Sequence, residues 1–249
     1  MATERWISKD FAELAAEALQ AEDQPQPLIL DIVIIGSGYG GAIAAAELAA
    51  MNTASGSPLS VCVLERGLEY LPGKFPARLS ELPGHLRFTL PASAYPSGQR
   101  QGLFDLKLGA DVSTLVANGL GGGSLINAGV METPDTDIFG DRWPEALRTR
   151  KALDDYYQDA RLLLGVIQDG QDNTISTTTP CSSKKLNKHL AFSKLGAEGD
   201  TLYKAAISIA NDNGHETCAQ VKLNACKRCG DCATGCNYGA KESLDTNLL

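Results

Sequence analysis

Apolar positions crowd together from Leu28 to Ile35, in the run Leu-Ile-Leu-Asp-Ile-Val-Ile-Ile, where Asp31 is the one polar residue. Continuous rather than alternating hydrophobicity, rich in β-branched residues, predicts a strand covered on both faces, as in a parallel sheet. Gly36-Ser-Gly-Tyr-Gly-Gly41 follows at once, and then Ala42 to Met51, rich in small helix formers that pack closely on a sheet. A second buried-type strand, Leu59 to Leu64, ends in Glu65-Arg66-Gly67. Strand, glycine turn, helix, strand and acid make one complete βαβ unit. Upstream, Asp10 to Gln20 reads as a helix with Phe11, Leu14, Ala15 and Leu19 on one side. Ser8 or Asp10 is its expected cap, and Gln24-Pro25-Gln26-Pro27 breaks the chain before the core.

Downstream the pattern is weaker. Pro72, Pro76, Pro83, Pro91 and Pro96 imply a loop-rich excursion over 68–118, with short strands expected at Phe104–Leu108 and Asp111–Val116. A second glycine cluster, Asn118-Gly-Leu-Gly-Gly-Gly-Ser-Leu-Ile-Asn-Ala-Gly-Val130, comes next. A helix is expected around 150–164, with Leu153, Tyr156, Tyr157, Ala160, Leu163 and Leu164 at helical spacing and Gly165 as its stop. Residues 166–200 are polar and loop-like, including Thr177-Thr-Thr179. Thr201 to Asn211 reads as a further helix, with Leu202, Ala205, Ala206 and Ile209 inward. The expected organisation is an N-terminal extension over 1–27, a dinucleotide-binding core over 28–145, a helical and loop segment over 146–215, and a Cys-rich segment over 216–249 leading back to the core.

Composition narrows the class. The chain has 249 residues, 43% of them hydrophobic and 21% charged, which suits a folded protein with a real core. Its net charge of −8 argues against a nucleic-acid partner and against tight adhesion to anionic membranes. No apolar run approaches the ~20 residues that span a bilayer. The first ten residues carry no apolar core of a signal peptide, so the expectation is a soluble cytoplasmic protein.

The first glycine motif sits in the context that gives it meaning. Gly36 permits the tight turn out of the strand, Gly38 lets the backbone approach a pyrophosphate, and Gly41 lets helix and strand pack closely. Phosphates then sit on the positive end of the helix that begins near Gly40. Glu65 ends the second strand 24 residues after Gly41, where a carboxylate accepts hydrogen bonds from ribose hydroxyls. That acid disfavours a 2′-phosphate, hence NADP, and leaves NAD and FAD open. In the second cluster, four glycines in the five positions 119–123 are entropically expensive as ordinary structure. They read as backbone held against a flat or anionic ligand, with Ser124 and Asn127 offering hydrogen bonds.

Four of the seven cysteines fall within eleven positions, as Cys226-x2-Cys229-x2-Cys232-x3-Cys236. This is ferredoxin spacing, except that Asn237 stands where a ferredoxin run has proline. Three readings stand open: an iron–sulfur cluster, a zinc site, and plain thiols packed under the core with or without one disulfide. Lys222, Lys227, Arg228 and Lys241 are near enough in sequence to lower thiolate pKa values. Cys62 reads as a small core hydrophobe, and Cys181 and Cys218 have no assignable role.

Taken together, Ile35-Gly-Ser-Gly-Tyr-Gly-Gly-Ala42, Leu64-Glu-Arg-Gly67 and Gly119-Leu-Gly-Gly-Gly-Ser-Leu-Ile-Asn127 resemble the glucose–methanol–choline (GMC) family of flavin oxidoreductases. Phe139-Gly-Asp-Arg-Trp-Pro144 and Leu153-Asp-Asp-Tyr-Tyr157 are similar to that family too. Within it, the Gly-rich segment and the Cys-Gly-Asp-Cys stretch look most like a bacterial cholesterol-oxidase-like branch. The resemblance covers roughly 28–249 and implies an α/β fold: a Rossmann-like FAD-binding βαβ core with a parallel sheet, plus a loop-rich and helical segment. It implies noncovalent FAD, with Gly36, Ser37, Gly38, Tyr39, Gly40 and Gly41 along the pyrophosphate and Glu65 and Arg66 at the adenosine ribose. It places Gly119, Gly121, Gly122, Gly123, Ser124, Asn127 and Gly129 along the ribityl chain and isoalloxazine ring. The implied reaction is oxidation of an alcohol CH–OH, a sterol among the candidates, by hydride transfer to flavin. Oxygen or a redox protein would then be the electron acceptor.

The family's catalytic histidine lies in a C-terminal half that has no counterpart here. His85, His189 and His215 match no motif and read as loop or surface residues. The expectation is an N-terminal portion with its substrate domain largely missing, inactive alone. A flavin and iron–sulfur electron-transfer module is the second reading, and a nonfunctional fragment the third.

Overall fold

The computed structural model describes residues 6–20, 28–165, 207–210 and 213–249. The expected βαβ unit is present. Strand β1 (Ile32–Ile35) leads through the glycine turn into helix α2 (Tyr39–Ala49) and on to strand β2 (Val61–Leu64). The two strands pair in parallel, Ile32 opposite Val61 and Ile35 opposite Leu64. The helix packs on the strands through Ala42 and Ala45, residues small enough to let it lie close. Helix α1 (Phe11–Gln20) precedes this unit. Asp10 caps it: its Oδ1 accepts from the Glu13 N–H at 2.9 Å, and the Glu13 carboxylate accepts from the Asp10 N–H at 2.8 Å.

One packing expectation is corrected. Only one face of β1 is covered among the described residues; Val33 and Ile35 look outward, Ile35 at 88% exposure. The pleat alternates side chains, and a two-stranded sheet with one helix on it buries only one of the two faces. Likewise the apolar side of α1 is unburied, since Phe11 and Leu19 are both exposed.

The proline-rich excursion contains more order than its sequence promised. Strands β3 (Leu86–Thr89), β4 (Ser97–Gly98), β5 (Phe104–Lys107) and β6 (Thr114–Ala117) form one sheet in the order β4-β3-β5-β6. β3 runs parallel to β5, while β4 and β6 run antiparallel to their neighbours. Tyr70, Phe75, Leu103, Phe104 and Leu125 make the core beneath it, with Tyr70 stacked on Phe75.

Helix α3 (Asp154–Leu163) follows a 3₁₀ turn at Arg150–Leu153. Tyr156, one of the residues at helical spacing, is exposed. The helix expected over 201–211 is corrected where it can be seen. Residues 207–210 are extended: Ile207 bridges Val130 and Ile209 bridges Lys241. The β-branched Ile-Ser-Ile alternation suits this better than a helix. The remainder of that segment, with Thr177–Thr179, Cys181 and His189, lies outside the described residues. The chain closes with a small hairpin, β7 (His215–Glu216) and β8 (Lys222–Leu223), and a short helix α4 (Leu244–Asn247).

Candidate functional site

The two glycine clusters, far apart in sequence, interlock. A 3₁₀ turn at Gly122–Leu125 starts after Gly121, whose φ is +100°. Gly122, at φ +54°, lies on the first turn so closely that a Cβ there would stand 2.7 Å from the Cα of Gly38. Neither position accepts a side chain. Ser37, fully buried between the turns, is the pin that joins them. Its hydroxyl donates to Glu65 Oε2 at 2.7 Å and accepts from the Gly121 N–H at 3.0 Å. Gly119 belongs to the same knot, since Leu68 bridges it in parallel and its carbonyl accepts from the Gly122 N–H.

Glu65 sits at the end of β2 as the pattern required. Its Oε2 also accepts from the Ser37 N–H at 3.1 Å, and its Oε1 from the Gly67 N–H at 2.8 Å. A carboxylate offers about four acceptor sites, so these bonds orient Glu65 without exhausting it. Arg66 is committed elsewhere. Its guanidinium donates to Asn118 Oδ1 at 2.7 Å and to Asp105 Oδ2 at 2.9 Å. Asp105 is buried, and Arg87 Nε stands 3.4 Å from the same Oδ2.

Tyr39 and Asn127 join the clusters at a second point: the Asn127 amide donates to the Tyr39 hydroxyl at 2.7 Å. Burial pushes the Tyr39 phenol above its usual range, and that bond pulls it back. Asn127 Oδ1 accepts from the Gly129 N–H. Gly123 supplies the carbonyl that the Asn127 N–H bonds at 3.0 Å, while Gly40 stays on the outer side of the first turn, with open space beyond it.

The C-terminal stretch closes the site from behind. The Ser124 hydroxyl donates to the Gly121 carbonyl and accepts from the Leu244 N–H at 2.9 Å. Asp245 comes next, 7% exposed, with Oδ1 partnerless and close to Gly121. Burial above all, against the pull of Ser243 and Lys241 and with a smaller push from Glu69, raises its carboxyl to about 6. Lys241 is 3% exposed, and its ammonium donates to the carbonyls of Leu125, Asn127 and Cys232. Burial lowers its pKa to about 8, against the pull of Cys232, Cys236 and Asp245. Sequence reasoning gave Asp245 no role and read Lys241 as a neighbour of thiolates. In the structure the Lys241 ammonium is bonded to main-chain oxygen.

The metal-centre reading of the cysteines gains no support from the structure. Among the described residues, no group of three or more His, Cys, Asp or Glu side chains is placed to hold a metal ion. Cys226, Cys232 and Cys236 pack against Ile207, Ile209 and Ala240, and Cys229 is exposed. The Arg228 and Ala240 N–H groups donate to the sulfurs of Cys226 and Cys236 at 3.3 Å. Cys226, Cys232 and Cys236 pack as small hydrophobes in a satellite core.

Two histidines are more engaged than loop residues. His85 Nδ1 lies 3.2 Å from the Tyr70 hydroxyl. His215 Nε2 lies 2.6 Å from Glu242 Oε1, and burial raises the Glu242 carboxyl against the pull of His215. Neither contact has a sequence signal, because each partner is remote along the chain.

Comparison with known proteins decides the family. The GMC oxidoreductase model matches residues 31–249. The chain belongs to the GMC oxidoreductase family. Family membership implies a Rossmann-like FAD-binding fold. Cholesterol oxidase of Mycobacterium tuberculosis is 28% identical over 232 residues, covering 88% of this chain and 36% of that protein. Cholesterol oxidase of Acinetobacter baumannii is 27% identical over 239 residues, covering 88% of this chain and 37% of that protein. The chain thus spans a little over a third of the length of these relatives.

The residues present fit the family's cofactor. No side chain caps the N-terminus of α2, so its N–H groups face outward. A Cβ on Gly38 would meet nothing within 4 Å, which leaves bare backbone for a pyrophosphate to approach. No helix among the described residues is long and apolar enough to cross a membrane.

Proposed function

We propose that this chain is the flavin-holding portion of an enzyme that oxidises an alcohol CH–OH, with sterols as the favoured substrate class. The carrying observation is the interlock of the two glycine turns through Ser37. It brings the α2 N-terminus at Gly38 alongside Gly122 and Asn127 in one stretch of backbone almost free of side chains. The names of the relatives, both cholesterol oxidases, favour a sterol.

In this reading Gly36, Gly38 and Gly41 hold the pyrophosphate at the positive end of α2, and Glu65 accepts from the adenosine ribose. Gly121, Gly122, Gly123 and Ser124 lie along the ribityl chain, and Asn127 and Gly129 lie at the ring. Tyr39 steadies Asn127, and Arg66 steadies the Glu65 loop through Asp105 and Asn118. Bound FAD supplies the hydride acceptor; the chain supplies orientation and exclusion of water.

The test is the visible absorption spectrum of the purified chain, before and after added FAD. Resolved flavin bands that survive gel filtration are the expected result. A protein that stays folded and colourless after FAD addition would overturn the reading.

A further inference from the structure

Lys241 is a buried cation to which no carboxylate among the described residues is hydrogen-bonded. Its three N–H donors are all spent, at 2.8, 2.9 and 3.0 Å, on the main-chain carbonyls of Leu125, Asn127 and Cys232. Burying an ammonium is costly unless it is fully bonded, and here it is. Leu125 and Asn127 stand at the carbonyl end of the 3₁₀ turn that begins at Gly122. A cation there answers the partial negative charge of unpaired carbonyls. The same Asn127 carries the amide that reaches Tyr39 on the first glycine turn. Ile209, paired to Lys241 by a bridge, packs against Gly129 on the far side. The lysine therefore grips the second glycine turn at the point where it meets the first.

We propose that Lys241 is a positioning residue for the flavin strip, its ammonium holding the Leu125–Asn127 backbone, and through it the Asn127 amide, in cofactor-binding form. Loss of the ammonium takes its donors away from the carbonyls of Leu125 and Asn127, and the turn relaxes toward water. The strip then holds flavin less tightly and less uniquely. This rests on the reading of the site as flavin-binding.

The experiment compares the full chain with Lys241→Met, Lys241→Gln and Lys241→Arg. FAD affinity is read by fluorescence titration, and the bound flavin by its absorption spectrum at saturating FAD. Methionine matches the lysine stem without its charge. It is expected to weaken FAD by about ten- to a hundredfold, from the loss of charge-assisted bonds, and to blur the resolved flavin bands. Arginine restores the cation, and so most of the affinity and the band shape. Glutamine keeps a donor and covers the case in which the methionine variant fails to fold; it is expected to fall between the two. Met or Gln variants with wild-type affinity and an unchanged spectrum would overturn the assignment of Lys241 alone. A wild-type chain that binds no FAD would overturn the flavin reading and this proposal with it.

Discussion

Gly122 shows how little freedom the site leaves a single residue. Its φ of +54° and its 2.7 Å approach to the Gly38 Cα mean that alanine meets backbone strain and a backbone clash together. Gly122→Ala is expected to cost roughly 1–3 kcal/mol of stability and to abolish FAD binding, measured by urea unfolding and by flavin titration. The glycine motif itself was legible, because strand, turn, helix and acid lie within one short stretch. The engagements of Ser37, Asn118 and Lys241 were not. Each depends on a partner far away in sequence: 84 positions for Ser37 and Gly121, 116 for Lys241 and Leu125.

At the scale of elements, α4 presents Asp245 to the back of the second glycine turn. Burial is the main reason its carboxyl stands near 6 rather than 3.8, with Glu69 adding to it. A raised folded-state value means that the folded chain holds this proton more tightly than the unfolded one. The stabilisation is full below pH 3.8 and is lost as the pH rises through 6. Asp245→Asn keeps the shape and removes the titration. It is expected to flatten the fall in stability between pH 4 and 6, by roughly 3 kcal/mol at most. Urea midpoints across that range check it; unchanged curves would count against a buried, proton-holding Asp245. Among the elements, β1, α2 and β2 were legible from local pattern alone. β3 and β4 were not, because prolines around them masked strands whose pairing is non-local. The 207–210 segment misled for the opposite reason: its spacing suits a helix, yet its pairing with Val130 and Lys241 decides for extended backbone.

At the scale of the molecule, the outer face of the β1–β2 sheet is unpaired with any described element. Val33 and Ile35, continued by exposed Ile29, make an apolar stripe on it. Such a stripe promotes association. Val33→Thr with Ile35→Thr, which keeps β-branched side chains, is expected to reduce concentration-dependent light scattering while leaving the flavin spectrum unchanged. The Cys-rich stretch was legible as a cluster by spacing, but its fate was not. Cys226, Cys232 and Cys236 pack against Ile207, Ile209 and Ala240, residues outside the motif that its spacing does not reveal.

The pin at Ser37 has a consequence for how the molecule comes into being. Three stretches, around Ser37, around Gly121 and around Leu244, must meet before the knot exists, and two large loops close in the process. Loop closure is an entropic cost taken before any contact rewards it. The cofactor cradle is therefore among the last features to assemble, after the local βαβ unit. A ligand that recognises only the finished knot draws the population toward it by mass action. Under the proposed function, cofactor supply is expected to raise the share of newly made chain that persists folded.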